Sequence, residues 1–169
     1  MPRQSDSKIT NYSGITLPPG EGKSVWVLGD LVTFKAGSED TRGMYALFEV
    51  KAEPQNGPPP HIHHREDEAF YVLEGGFSFL YGDRTINATA GSFVYIPKGT
   101  LHTYKNLGNT TGRLLVIVTP AGLERFFEEI GESVMYKSYP PPDDPPDMEK
   151  LMALTQKYHI EIKMPQAES

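Results

Sequence analysis

Cysteine is absent from this 169-residue chain. That removes disulfides, thiolate metal ligands and cysteine nucleophiles together, so any chemistry must come from histidine, carboxylates, hydroxyls or a bound cofactor. Long apolar runs are missing as well. The longest purely aliphatic stretch, Leu114 to Val118, is five residues, against roughly 20 for a membrane-spanning helix, so no membrane is expected as partner. Basic blocks are also lacking. Sixteen Lys and Arg against 22 Asp and Glu leave a formal charge of −6. Phosphate contacts dominate nucleic-acid affinity, so DNA or RNA is not an expected partner either. The stretch from Met1 to Thr10 holds no apolar leader core, which makes the cytoplasm the expected compartment. Glycosylation-type triplets at Asn11, Asn87 and Asn109 are then chance matches.

What is present suffices for one core: 38% of the residues are hydrophobic and 22% charged, a globular balance at a length typical of a single domain. From Val25 to Thr119 short strand patterns alternate with turn residues. Met44, Ala46, Phe48 and Val50 alternate with Tyr45, Leu47 and Glu49 in the period of two that a strand requires. Comparable runs occupy Glu68–Glu74, Phe77–Tyr81, Arg84–Ala88, Ser92–Ile96, His102–Asn106 and Arg113–Thr119. Gly75-Gly76 and Gly82-Asp83 read as hairpin loops between consecutive strands. With no helix interrupting the strands, an all-β sandwich or barrel is expected.

Two helical patterns follow. Leu123, Phe126, Phe127 and Ile130 fall on one stripe. After the stiff run from Tyr139 to Pro146, Asp144 reads as an N-cap with Pro145 at the first helical position. That helix would place Met148, Leu151, Met152 and Thr155 on one face, with a short strand at Ile160 and Ile162 beyond it. The expected organisation is an N-terminal arm over 1–20 and a barrel with its following helix over 21–135. A Pro-rich linker and a C-terminal helix packed on the barrel would make up 136–169.

The densest chemistry lies between Pro58 and Gly75. His61 and His63 are two apart, so on a strand both imidazoles face one way. Glu68 follows across a charged break, and His102 offers a further imidazole in a separate segment. Three imidazoles and a carboxylate suit Fe, Mn, Co, Ni, Cu or Zn and leave positions open for water, O₂ or substrate. His64 has the opposite parity and reads as surface. His159 reads as a solvent or helix-end residue, and Glu66 and Asp67 as a solvated turn beside Arg65. Phe70 and Val72 share parity with Glu68, and Tyr104 with His102, so all three should line the interior.

His61, His63, Glu68 and Gly75 match the spacing of the first cupin motif, and Gly91, Pro97, Gly99, His102 and Asn106 match the second. The chain therefore resembles the cupins, with one departure: Gln55 stands where the first motif opens on glycine. The run from Pro58 to Gly75, with Trp26–Asp30 and Pro120–Phe127, is similar to single-domain proteins of the quercetin dioxygenase type. The resemblance implies a double-stranded β-helix, a jelly-roll barrel, carrying two short C-terminal helices. It also implies one divalent transition metal per chain on His61, His63, Glu68 and His102. The implied activity is a dioxygenase acting with O₂ on a small aromatic or enol substrate, Glu68 doubling as catalytic base. Two other readings compete: a metal-assisted isomerase or lyase, and a non-catalytic module that binds a small molecule or metal. Few basic residues share the inward parity near the ligands, which weighs against a sugar-phosphate substrate. Apolar residues on both faces of Val25–Leu28 point to a symmetric homodimer.

Overall fold

The computed structural model of the chain describes residues 13–134 and 144–163. The expected N-terminal arm up to residue 12, the Asn11 triplet and the linker positions Tyr139 to Asp143 lie outside the described residues.

Alternating side chains build the strands β1 (Ser24–Val27), β2 (Asp30–Ala36), β3 (Ala46–Ala52), β4 (His61–His63), β5 (Asp67–Glu74) and β6 (Gly76–Tyr81). The remaining strands are β7 (Arg84–Thr89), β8 (Phe93–Ile96), β9 (His102–Asn106), β10 (Gly112–Thr119), β11 (Glu132–Ser133) and β12 (Ile160–Ile162). Three helices, α1 (Ser38–Thr41), α2 (Leu123–Ile130) and α3 (Met148–Lys157), complete the described elements. A seven-stranded sheet runs β11-β1-β2-β3-β10-β5-β8, and a five-stranded sheet runs β12-β4-β9-β6-β7. Antiparallel pairing throughout, with strands shared between two facing sheets, is the expected all-β double-stranded β-helix.

The core lies between the sheets, where the period of two aims one side chain in two. Along β3, Ala46, Phe48, Val50 and Ala52 are buried while Leu47, Glu49 and Lys51 are half-buried on the other face. Phe79 of β6 meets Phe70 of β5 across the interior with ring centroids 5.2 Å apart, and buried Phe77 packs beside Phe79 at 6.3 Å. Each such ring contributes about 1.5–3 kcal/mol by leaving water. Helix α2 closes one side with Leu123 and Phe126 buried, and Phe127 packs edge-on against Phe48 at 5.2 Å.

Three local expectations are corrected. Gly82-Asp83 is a two-residue hairpin, with Tyr81 paired to Arg84, but Gly75-Gly76 is not a hairpin. Strand β5 bonds to β10 and β8 in one sheet, and β6 to β7 and β9 in the other. Gly75, at φ +89°, is where the chain crosses between sheets, a backbone state that costs glycine nothing. Helix α3 begins at Met148, with the Asp147 carboxylate accepting from the Lys150 N–H at 3.0 Å, and not at Asp144 and Pro145. Pro146 keeps Pro145 out of the helical region, so the helix starts only after both prolines. Its buried residues are therefore Leu151, Leu154 and Thr155, while Met148 and Met152 are exposed. Finally, Val25 and Trp26 are both buried within the single chain, so the apolar faces of β1 do not call for a second subunit.

The C-terminal strand completes the sheet that carries the histidines. Ile160 pairs with His63 and Ile162 with His61, and the Lys163 N–H donates to Pro60 O at 2.8 Å. On its other edge β4 meets β9 with His61 opposite His102. The histidine strand is thus held on both sides.

Candidate metal centre

Strand parity turns His61 and His63 inward from β4, and the register with β9 sets His102 directly beside His61. Glu68 comes from β5, in the facing sheet, and reaches the imidazoles across the interior. The ligand atoms of His61, His63, Glu68 and His102 all lie within 4.8 Å of one another. Glu68 Oε2 stands 2.7 Å from His102 Nε2 and 3.2 Å from His63 Nε2. Glu68, His63 and His102 are buried, and His61 is half-buried.

Backbone carbonyls set the tautomers of two rings. His61 Nδ1 lies 2.8 Å from Pro59 O, and His102 Nδ1 lies 2.9 Å from Thr100 O. A carbonyl only accepts, so each Nδ1 carries the proton and donates it, which leaves the Nε2 of a neutral imidazole with a lone pair. Burial, reinforced by His63 and His102, lowers His61 to about 3, so that ring is neutral at physiological pH. Burial would raise Glu68, but His63 and His102 outweigh it and hold the carboxyl well below its usual range. Burial alone would lower His63; Glu68 and Glu66 beside it raise it instead. Lone pairs of buried imidazoles and a carboxylate converging on one point repel unless a proton or a cation lies among them. Once deprotonated, the three imidazole Nε2 atoms and one carboxylate oxygen are a donor set for a divalent transition ion, and the residues fit one.

Glu66 corrects the sequence reading. Its side chain is buried, not solvated, and its Oε2 lies 3.8 Å from His63 Nδ1. Neither atom has a hydrogen-bond partner. Burial and the Glu68 charge raise Glu66, while His63 opposes that rise. A local stretch reading Arg-Glu-Asp gave no signal of this, because the burial comes from the fold. Asp67 stays outside the cluster, accepting from the Lys98 N–H at 2.8 Å and from the Tyr95 hydroxyl at 3.0 Å. His64 is exposed beside Glu161, and exposed His159 accepts from Arg65 at 2.6 Å. Neither joins the centre.

The centre opens onto a cavity between the sheets. Phe70 and Tyr104 line it as parity requires, together with Phe48, Val50 and Val116, and α3 and β12 add Leu151 and Ile160. Val72, the third expected lining residue, is fully buried in the core. Among the described residues no Lys or Arg lines this cavity. Its wall does hold a second buried carboxylate, Asp30. One Asp30 oxygen accepts from the Tyr104 hydroxyl and the other from the Asn56 amide, both at 2.6 Å. Burial lifts Asp30 to about 6 despite those two bonds and a third from the Glu53 backbone N–H, and burial together with Asp30 raises Tyr104 well above the usual phenol range.

Residues 48–118 match the family model for the cupin domain. An uncharacterized Streptomyces coelicolor protein is 30% identical over 78 residues, covering 46% of this chain and 68% of its own length. The chain belongs to the cupin superfamily. This cupin is also 25% identical over 116 residues to quercetin 2,3-dioxygenase of Bacillus subtilis, matching 69% of the present chain. It spans only 34% of that dioxygenase. Among solved structures, KdgF from Halomonas sp. superposes with a TM-score of 0.60 at 19% identity, covering 67% of this cupin and 99% of its own chain. That likeness is one of fold. At Gln55, where the motif departs from glycine, the backbone is left-handed at φ +62°, the conformation glycine adopts freely. No helix of the described residues is long and apolar enough to cross a membrane.

Proposed function

We propose that this cupin is a metal-dependent dioxygenase acting on a small, neutral aromatic or enol substrate, in the manner of a quercetinase. One observation supports the reading above others: the three-histidine, one-glutamate cluster opens onto a cavity with aromatic and aliphatic walls and, among the described residues, no Lys or Arg. A phosphorylated sugar or a dicarboxylate would enter without a cationic side chain to receive it and would face the Asp30 carboxyl. The metal-assisted isomerase acting on sugar phosphates is disfavoured on the same ground.

A divalent transition ion held by His61, His63, Glu68 and His102 supplies Lewis acidity and, when redox-active, a route for electrons between substrate and O₂. The protein's own part is positional and acid–base. Pro59 O and Thr100 O orient His61 and His102. Glu68, ionised and buried, accepts the proton of an acidic substrate hydroxyl at Oε2. Phe48 and Phe70 keep water from the reacting face.

The test is metal analysis of the purified protein, followed by oxygen-uptake assays with flavonols and other enols on each metal form. Uptake that depends on metal and substrate is the expected result. Metal binding without uptake on any form favours the non-catalytic binding module. A homodimer in the cytoplasm remains part of the proposal. Tyr71, Phe93 and Tyr95, exposed at the β8 edge of the larger sheet, are candidates for its contact, and light scattering at micromolar concentration decides it.

A further inference from the structure

Asp30 is 4% exposed and lines the same cavity as the imidazole cluster. It sits at the start of β2, in the sheet facing β9, and its hydrogen-bond donors are the hydroxyl of Tyr104, the side-chain amide of Asn56 and the backbone N–H of Glu53. All three donors are neutral. No cation of the described residues pairs with it, and the charge of Glu53 adds repulsion. A brace between β2 and β9 would need only an acceptor, and a neutral side chain would provide one without taking a charge out of water. An uncompensated carboxylate on the wall of a cavity that also holds a reactive cluster points to a ligand.

We propose that Asp30 and Tyr104 form a second recognition point, which accepts a hydrogen bond from a phenolic or enolic hydroxyl of the substrate. The polarity of the pair supports this choice. Tyr104 spends its proton on Asp30, so the exposed capacity of both groups is acceptor only. Such a pair takes an O–H donor and rejects an anion. Tyr104 lies two residues beyond His102 on the same face of β9, roughly 7 Å along the strand at the usual rise. That spacing suits a ring whose one oxygen faces the imidazoles and whose further hydroxyl faces Asp30. The Phe70 ring, 6.0 Å from that of Tyr104, and the aliphatic walls cover the part between. The substrate class is therefore a polyhydroxylated planar molecule, neutral at the pH of the cell. Burial places Asp30 near 6, so it is largely ionised at neutral pH and at its strongest as an acceptor.

This assignment rests on the proposed function for the nature of the substrate, and the experiment separates the two. The full-length, metal-loaded protein is titrated calorimetrically with quercetin and with 3-hydroxyflavone, which has the same ring system without the further hydroxyls. The wild type is expected to prefer quercetin by about 10- to 100-fold, the value of a hydrogen bond to a charged acceptor. Asp30→Asn should erase that preference, while 3-hydroxyflavone, with nothing to offer Asp30, binds both forms alike. A general loosening of the fold would weaken both probes equally, which overturns the assignment. Should Asp30→Asn fail to fold by circular dichroism, Tyr104→Phe, which keeps the ring, is expected to lose the preference in its place. A folded variant that retains the preference, or a wild type that binds the probes equally or not at all, also overturns the assignment. A wild type that shows the Asp30-dependent preference yet consumes no oxygen on any metal form supports the recognition point and contradicts the dioxygenase reading.

Discussion

The two ends of the cavity solve the problem of a buried carboxylate in opposite ways. Around Glu68 stand three imidazoles whose nitrogens converge on its oxygen, and the carboxyl is held low. Around Asp30 stand a phenol, a side-chain amide and a backbone N–H, all neutral, and the carboxyl is pushed up to about 6. Desolvation is the largest influence on both groups; the neighbours decide the sign. One end is built to share a cation, the other to receive a neutral donor. A molecule with one acidic oxygen and one further hydroxyl is complementary to both.

The sharpest way to break this contrast is to remove basicity at one end without removing shape. Glu68→Gln should retain much of the metal, since three histidines still hold an ion, yet lose turnover by about 10²–10⁴-fold, as expected for a missing general base. Full oxygen uptake by Glu68→Gln, on a substrate that the wild type processes, would remove Glu68 from the chemistry.

At the other end the readout is the pH dependence of stability. Asp30 is raised from 3.8 to about 6, so between those values the folded state holds more protons than the unfolded one. Its contribution is fully present below pH about 3.8 and is lost as pH rises through about 6, by up to about 3 kcal/mol. Urea unfolding of wild type and Asp30→Asn across this window should show the wild type losing that much relative to the variant. Parallel profiles would show that Asp30 does not titrate as a buried, uncompensated group.

How far this contrast was readable in the sequence follows from the separation of its parts. His61, His63 and Glu68 sit within one short segment, and their parity and spacing need no tertiary knowledge; His102 brought its own motif of glycines, proline and asparagine. The strands from β5 to β10 were readable for the same reason, because alternation is local. Asp30 and Tyr104 are 74 positions apart, and nothing near either one announces the other. Glu66 lay in a stretch whose composition says solvent, yet the fold buries it beside His63. The chemistry of Gly75-Gly76 is the same for a hairpin as for a crossing between sheets, so sheet membership had to come from pairing. Strand β12 was expected at Ile160 and Ile162, but its place beside the histidine strand depends on a partner nearly 100 residues away, with Glu161 paired to Ile62.

Glu66 refines the comparison from the side of the metal. A carboxylate hydrogen-bonded behind a ligating imidazole typically contributes 10- to 100-fold in metal affinity, but Glu66 Oε2 lies 3.8 Å from His63 Nδ1 and acts on it by charge alone. Glu66→Gln should therefore lower metal affinity by about 10-fold or less in competitive chelator titration. An unchanged affinity would leave Glu66 as a buried acid without a role at the centre. The smallest effect is expected outside the cavity. His64→Ala removes an exposed contact to Glu161 and should change stability by less than about 0.5 kcal/mol in thermal unfolding, with metal content unaltered. A loss of metal in His64→Ala would mean that the exposed neighbour of His63 takes part after all.

The claim beneath all of these is that the four converging side chains hold an ion. Its most direct test is the metal content of the full chain, purified after growth with each of nickel, iron, manganese, cobalt, copper and zinc, beside His102→Ala treated identically. The account predicts about one ion per wild-type chain for at least one supplement. It also predicts an affinity loss in the variant that exceeds the roughly 100-fold upper range for an outer partner. Wild-type protein that carries no ion under any supplement, or a His102→Ala variant that binds as tightly as the wild type, would contradict it.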